Sequence, residues 1–345
     1  MARIAVDAMG GDFAPRAPIA GAIQALGTLS PEHHVELVGQ SAVIEAELDA
    51  LLRGELAALA DVRGRITIVD APDVIAMTDK PSVALRGKTN SSMVRGIKRV
   101  ADGHAHGFVS AGNTGAQMAA SLVLLKLHVG LTRPAIGTIF PTKRNPVLVL
   151  DVGANVDCAA EELVQFARIG TVYAHALLGR DRPAVGLLSI GEEAEKGNQA
   201  VKEAHQRLLG AGLHFLGNVE GRDIPQGECD RGAIDVVVCD GFTGNILLKF
   251  MESIGPMLIG LVSHVADLDP RQIAGSLKQL DVDEYGGAPL LGVRGVSIIS
   301  HGKSSPRAIK NAIHVAVRAY ESGMTDEIGR RLAESMPQAT ASDTV

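Results

Sequence analysis

The stretch Gly107-Phe-Val-Ser110-Ala-Gly-Asn-Thr-Gly-Ala116, running on to His128, holds three signals in a row. Gly107–Ser110 is a short apolar run of strand length. Ser110–Gly115 is small and polar, built around Gly112 and Gly115. Gly115–His128 then carries apolar residues at helical spacing. A strand that turns through a glycine loop straight into a helix is half of a βαβ unit. The same order recurs along the chain. Strands are expected at Arg3–Ala8, Val35–Gly39, Ile66–Asp70, Gly107–Ser110, Ala135–Phe140, Val147–Asp151, Ala184–Ser189, His214–Leu216, Ile234–Cys239 and Val296–Ser300. Helices are expected at Ala17–Leu29, Ala42–Ala60, Ser91–Ala101, Gly115–His128, Ala160–Leu178, Glu195–Leu209 and Pro306–Glu321. This alternation predicts an α/β fold, with a largely parallel sheet covered by helices on both faces. The link Pro141-Thr-Lys-Arg-Asn145 is short enough to join two strands directly, so part of the sheet can run antiparallel.

The stretch from Asn245 to Leu280 differs, being helical in pattern throughout with a break near Asp267-Leu-Asp-Pro270. Its first half is strongly apolar, from Ile246 to Val262. Such an inserted hairpin serves either a dimer or a membrane surface, or is an ordinary core helix. The organisation expected is one unit over residues 1–335, with the hairpin inserted at about 245–280 and a flexible tail at 336–345.

Bulk properties narrow the function. The chain has 345 residues, 46% hydrophobic and 21% charged, which suits a sizeable core. The net charge of -6 and the aromatic fraction of 3% disfavour nucleic acid, which needs basic surface and stacking platforms. Cys158, Cys229 and Cys239 form no C-x-x-C pair and read as unreactive thiols of a reducing cytoplasm. Asp7 interrupts the opening apolar run too early for a signal peptide, and no apolar run approaches the roughly 20 residues that span a bilayer. A cytoplasmic protein whose membrane contact is peripheral is expected.

Ligands of open α/β sheets bind beyond the carboxyl ends of strands. Five loops there carry the residues that such a role needs. In Asp7-Ala-Met-Gly-Gly-Asp12, Gly10 and Gly11 allow close backbone approach, and Asp7 and Asp12 either orient a ligand or support the turn. Ser110-Ala-Gly-Asn-Thr-Gly-Ala116 opens a helix, where free N–H groups attract anions; Ser110, Asn113 and Thr114 add donors, although Asn113 or Thr114 could equally cap the helix. Asp151-Val-Gly-Ala-Asn-Val-Asp157 repeats that character, with Asn155 or Asp157 as substrate contact or cap. Ile190 to Asn198 holds Lys196, either a point charge for phosphate or an oxyanion, or a solvated surface lysine. Asp240-Gly-Phe-Thr-Gly-Asn245 places Thr243 and Asn245 at the start of the apolar helix, with Gly241 and Gly244 beside them.

Other chemistries find no support. Ser297-Ile-Ile-Ser-His-Gly-Lys-Ser304 lacks the first glycine of a nucleotide loop, and no G-x-G-x-x-G follows a strand. No metal-binding spacing and no G-x-S-x-G elbow occur, so neither metal nor cofactor is expected. Arg86, Lys88, Arg95, Lys98 and Arg99 fall close together without an intervening acid. They read as a solvated face or as a dock for an acidic partner.

Taken together, Ile4-Ala-Val-Asp-Ala-Met-Gly-Gly-Asp12, Asn90-Ser-Ser-Met93, Ser110–Ala116, Leu150–Asp157, Gly191 through Lys196-Gly-Asn198, Asp240–Asn245 and Tyr285-Gly-Gly-Ala288 resemble the bacterial phosphate acyltransferases of phospholipid synthesis, the PlsX family. The likeness covers roughly residues 1 to 320. It implies a three-layer α/β/α sandwich like the isocitrate/isopropylmalate dehydrogenases and phosphotransacetylases. It implies transfer of a fatty acyl group from acyl carrier protein to inorganic phosphate, with Lys196 and Asn245 as catalytic residues. It further implies a homodimer at the membrane periphery that passes its product to a membrane glycerol-3-phosphate acyltransferase. The basic stretch would dock the acidic carrier. An acyl-CoA phosphotransacetylase and a non-catalytic membrane-surface scaffold remain as alternatives, while an isocitrate-type dehydrogenase lacks its metal carboxylates.

Overall fold

The computed structural model describes residues 1–266 and 286–334. In chain order the first half contains β1 (Arg3–Asp7), α1 (Arg16–Leu26), β2 (His34–Gly39), α2 (Ser41–Arg53), β3 (Ile66–Asp70), α3 (Pro81–Gly87), α4 (Ser92–Ala101), β4 (Gly107–Ser110) and α5 (Thr114–Leu124). Next come β5 (Ala135–Phe140), β6 (Val147–Leu150), α6 (Ala160–Leu178), β7 (Ala184–Leu188), α7 (Gln199–Leu209) and β8 (His214–Val219). A small hairpin, β9 (Glu228–Cys229) and β10 (Gly232–Ala233), precedes β11 (Val236–Val238) and α8 (Gly241–Ala266). The chain closes with β12 (Ala288–Leu291), β13 (Val296–Ile299), α9 (Pro306–Glu321) and α10 (Met324–Glu334).

One 11-stranded sheet runs in the order β3-β2-β1-β4-β13-β12-β5-β6-β11-β7-β8. Strand alternation divides the core. Ile4 and Val6 of β1 enter one apolar cluster with Ile19 and Ile23 of α1, while Ala5 enters another with Met93, Ile97 and Ala116 of α4 and α5. Likewise Leu148 and Leu150 of β6 face the first cluster, and Val147 and Val149 the second. The expected layering of helices on both faces of a parallel-rich sheet therefore holds.

The short Pro141–Asn145 link makes β5 and β6 antiparallel, as expected. This has a larger consequence. β1, β2, β3, β4 and β13 run together, and β12 is antiparallel to both β13 and β5. β6, β11, β7 and β8 are mutually parallel and opposed to β5. The carboxyl ends of the two parallel groups thus point to opposite edges of the sheet.

Local chemistry places the helix ends. Asn113 and Asn198 accept the N–H of Ala116 and Val201 at the starts of α5 and α7, and Ser305 caps α9 ahead of Pro306. The helix expected over Ala42–Ala60 stops at Arg53, because Gly54 adopts φ -111, ψ -116; a 3-10 segment, Ala57–Arg65, follows. Helix α8 packs Leu247, Leu248 and Met251 on the second cluster. Its other side exposes Phe242, Ile246, Phe250, Met257 and Leu261. Among the described residues no helix is long and apolar enough to cross a membrane. The second arm of the expected hairpin, 267–280, and the tail at 336–345 lie outside the described residues.

Candidate active site

The loops after β1 and β4 form one polar group. Asp7, 2% exposed, accepts the Ser110 hydroxyl at 2.7 Å and the Met9 N–H at 3.1 Å. Ser110 Oγ in turn accepts the Gly112 N–H at 2.9 Å. Burial raises the Asp7 carboxyl above its ordinary range, against hydrogen bonds from Ser92, Ser110 and the Met9 and Gly10 backbone. A Cβ on Gly10 would lie 2.6 Å from Asp7 Oδ2 and 2.9 Å from Gly112 N, so only glycine lets these loops close together. Gly11 has φ +101, and the Asp12 N–H donates to the Gly302 carbonyl at 2.7 Å. Asn113 proves to be a strut. Its Oδ1 caps α5, and its Nδ2 donates to the Met77 and Asp79 carbonyls at 3.1 and 3.0 Å. Thr114 is exposed at the start of α5, next to Gly115, ahead of the first intrahelical bonds.

The loops after β6 and β11 form a second group at the other edge. Asp151 is fully buried. Its Oδ1 accepts the N–H groups of Ile136, Gly153 and Ala154 at 3.0, 3.2 and 3.0 Å. Its Oδ2 accepts the Asn155 N–H at 2.7 Å and the Asn155 amide at 2.9 Å. Burial pushes this carboxyl up, while the donors pull it back. Every hydrogen-bond partner is a donor, the set that a carboxylate takes, so Asp151 shapes the loop as an anion. The Asn155 amide also donates to the Pro134 carbonyl at 2.7 Å, which makes it a brace. A Cβ on Gly244 would fall on the Asp151 carbonyl oxygen, and one on Gly241 against that of Asn155. These glycines let the start of α8 press onto the Asp151 loop. Asp240 caps that start, accepting Thr243 N at 2.8 Å and Thr243 Oγ1 at 3.0 Å. The exposed Asn245 amide donates to the Val152 carbonyl at 3.1 Å. One of its N–H bonds is thereby spent and the other is free to meet a ligand.

Lys196 follows β7, whose neighbour β11 leads into the Asn245 loop, and the two strands are parallel. Its side chain is exposed and in no ion pair among the described residues. The structure thus gathers Asp7, Gly10, Ser110 and Gly112 at one edge, and Asn155, Gly241, Gly244 and Asn245 at the other. It puts the Lys196 turn on the strand beside the second group. Strands β13, β12 and β5 stand between the first and second groups, and the strand direction reverses across them. Helices α5 and α8, one from each group, nevertheless pack on the same face of the sheet. Among the described residues no cluster of His, Cys, Asp and Glu could hold a metal ion.

A protein-family model described as "Fatty acid synthesis protein" matches residues 2–327. The "Phosphate acyltransferase" of Moorella thermoacetica is 47% identical over 337 residues, which cover 95% of each chain. The chain belongs to this phosphate acyltransferase family. Among solved structures, the EutD phosphotransacetylase of Staphylococcus aureus matches with a TM-score of 0.59 at 15% identity, over 93% of this chain and 94% of that one. A 4-hydroxythreonine-4-phosphate dehydrogenase of Klebsiella pneumoniae matches with a TM-score of 0.50 at 16% identity, over 92% and 98%. These two likenesses establish the fold, in agreement with the sandwich that the sequence predicts.

Within this phosphate acyltransferase chain the basic stretch is largely engaged. Arg99 grips Glu36 with two hydrogen bonds, 2.8 and 2.6 Å, and Lys88 pairs with Asp79 at 2.5 Å. Both cations are thereby held within the fold. Arg95 donates to the Asp70 carbonyl and Asn90, and Lys98 meets Asp102 at 2.9 Å on an exposed surface. Arg86 is exposed. Burial pushes the Cys158 thiol up to about 12 and Cys239 well above its usual range, in line with unreactive thiols. Sequence reasoning gives Asp151 no role of its own, although an acid at the end of a strand, three residues before Ala154 and four before Asn155, is the signal of a carboxylate that folds a loop around itself.

Proposed function

We propose that this chain transfers a fatty acyl group from acyl carrier protein to inorganic phosphate, releasing acyl phosphate for phospholipid synthesis. The observation that carries the reading is Asn245: an uncharged donor at a helix start, aimed by the Val152 carbonyl, with a second N–H unspent. That is the equipment for a developing oxyanion.

The chemistry asks little else. Near pH 7 phosphate is already partly a dianion, so no strong base is needed. A phosphate oxygen attacks the thioester carbonyl, and Asn245 donates to the oxygen that becomes negative. The carbon–sulfur bond then breaks, a thiolate leaves, and a carbon–oxygen–phosphorus anhydride remains. Thiols ionise near pH 8.5, so the departing group needs no acid. Lys196 supplies positive charge to phosphate or to the tetrahedral intermediate, and the helix start at Gly241–Gly244, on the same edge of the sheet, favours the anion. The exposed Arg86 and Lys98, with the half-buried Arg95 beside them, would meet the acidic carrier. The apolar stripe on α8 supports a homodimer and peripheral membrane contact, with the product passed in the cytoplasm to a membrane glycerol-3-phosphate acyltransferase.

The test incubates purified protein with palmitoyl-acyl carrier protein and phosphate, and traps acyl phosphate with hydroxylamine for mass detection. Phosphate-dependent product that is lost in folded Lys196→Ala and Asn245→Ala supports the reaction and the site. Product from acetyl-CoA alone would replace this reading with a phosphotransacetylase, and product from neither would leave the scaffold.

A further inference from the structure

Behind the Lys196 turn runs a buried polar chain that the acyl transfer itself does not use. The Glu193 carbonyl accepts the Lys196 N–H at 3.0 Å and the Asn218 amide at 2.7 Å. Asn218 is fully buried, and its Oδ1 lies 2.9 Å from Nδ1 of His205, which is 7% exposed. A carbonyl can only accept, so the bond to Glu193 fixes which end of the Asn218 amide faces it. Oδ1 must then accept from a protonated Nδ1. Phe215 stands edge-on to His205, with centroids 5.2 Å apart at 72°, and holds its plane.

Asn218 reaches this place through an irregularity. The β7–β8 ladder pairs Val185 with Phe215 and Gly186 with Gly217, so Leu216 is an extra residue in β8. Gly217 has φ +93 at this bulge. A slip of one residue exchanges the faces of a strand, so the bulge decides which side Asn218 takes. The rest of the turn is pinned as well. A Cβ on Gly191 would lie 2.9 Å from Lys196 Cγ, and Asn198 caps α7 through Val201 N at 2.9 Å. The backbone around Lys196 is therefore held at its exit by Asn198 and, through Asn218, at Glu193, while Gly191 leaves room for the Lys196 side chain.

Burying an amide and an imidazole costs free energy that an apolar pair would not, unless each hydrogen bond has a use. We propose that Asn218, oriented by His205, is a positioning residue that sets where the Lys196 ammonium stands relative to phosphate. This rests on the catalytic reading of Lys196 given above.

The test uses full-length Asn218→Asp, which keeps the shape but turns an oxygen toward the Glu193 carbonyl. With it go His205→Phe, which removes the donor to Asn218, and His205→Gln, whose amide can restore it. Acyl phosphate formation is followed with phosphate and carrier varied separately. A misplaced group costs up to about 100-fold. The expected result is a 10- to 100-fold loss in kcat/KM for phosphate in Asn218→Asp and His205→Phe, with the carrier KM unchanged and His205→Gln near wild type. In the Lys196→Ala background, single-turnover rates should show no further loss on adding Asn218→Asp, because its effect runs through the missing ammonium. Wild-type phosphate kinetics in the variants, or a full additional loss without Lys196, would overturn the proposal. If Asn218→Asp yields no folded protein, the His205→Phe and His205→Gln pair carries the same comparison. A fully active Lys196→Ala enzyme would instead remove the catalytic reading, and this inference with it; an inactive Lys196→Ala beside an unaffected Asn218→Asp would remove this inference alone.

Discussion

The side-chain amide of Asn245 lies directly over Gly153: a Cβ on Gly153 would stand 3.0 Å from Asn245 Nδ2. Gly153 also has φ +141, where side chains are strained. Gly153→Ala should therefore act twice, straining the Asp151 loop and displacing the Asn245 amide from the Val152 carbonyl. Loss of an oxyanion donor costs on the order of 10²–10³ in turnover. Both Asn245→Ala and Gly153→Ala should lose that much kcat in the hydroxylamine assay, with Asn245→Ala retaining wild-type denaturant stability and Gly153→Ala falling below it. An active Gly153→Ala enzyme would show that the amide does not need this seat.

Arg99 and Glu36 make a different kind of pair. Glu36 is 1% exposed on β2, between β1 and β3, and Arg99 reaches it from α4 with two bonds. Removing one partner of a buried ion pair leaves a charge unpaired and typically costs about 3–5 kcal/mol. Arg3, at 3.7 Å, offsets part of this. Arg99→Met should unfold at clearly lower urea, and Glu36→Met in the same chain should recover much of the loss. The carrier KM should not move in the folded fraction. A raised carrier KM in Arg99→Met at unchanged stability would return Arg99 to the docking surface.

The exposed cations carry the opposite expectation. Lys98 pairs with Asp102 in water, where such bonds contribute at most about 1 kcal/mol. Arg86→Glu with Lys98→Glu should leave stability nearly unchanged, yet raise the KM for acyl carrier protein. The rise should shrink as salt is added, since exposed charges are screened within about 10 Å at 0.1 M. Carrier kinetics indifferent to both charge reversal and salt would dismiss this face as the dock.

These contrasts show what a sequence can carry. Strands Ile66–Asp70, Gly107–Ser110 and Ala135–Phe140 are legible to the residue, because short apolar runs with β-branched or aromatic residues end in loop residues. Ala288–Leu291 is not, since Pro289 and the preceding glycines mask a strand squeezed between antiparallel neighbours. Met324–Glu334 hides because Gly323 precedes it and Gly329 interrupts its helical pattern. The glycine loops announce themselves by composition. What they face does not, because the reversal at β5 and β6 assigns them to opposite edges, and that depends on pairing across the whole sheet. In the same way Arg99 and Glu36 stand 63 positions apart, and nothing local marks one as the other's partner.

Asp7 supplies a test of how the first loop group is built. Its folded-state carboxyl is raised by burial above the usual value near 3.9. Between the unfolded and folded values the folded state binds more protons than the unfolded chain, so stability falls as pH rises through that window. The cost is fully present above the folded value and absent below the unfolded one. Asp7→Asn removes the ionisation while keeping an oxygen for the Met9 N–H and an N–H for the Ser110 hydroxyl, whose oxygen can accept as well as donate. At pH 8 Asp7→Asn should be more stable than wild type in urea unfolding, and the gap should close as pH is lowered toward 4. A gap that stays constant with pH would mean that Asp7 is no more costly ionised in the fold than in the unfolded chain, with Ser92, Ser110 and the Met9 and Gly10 N–H groups offsetting its burial in full.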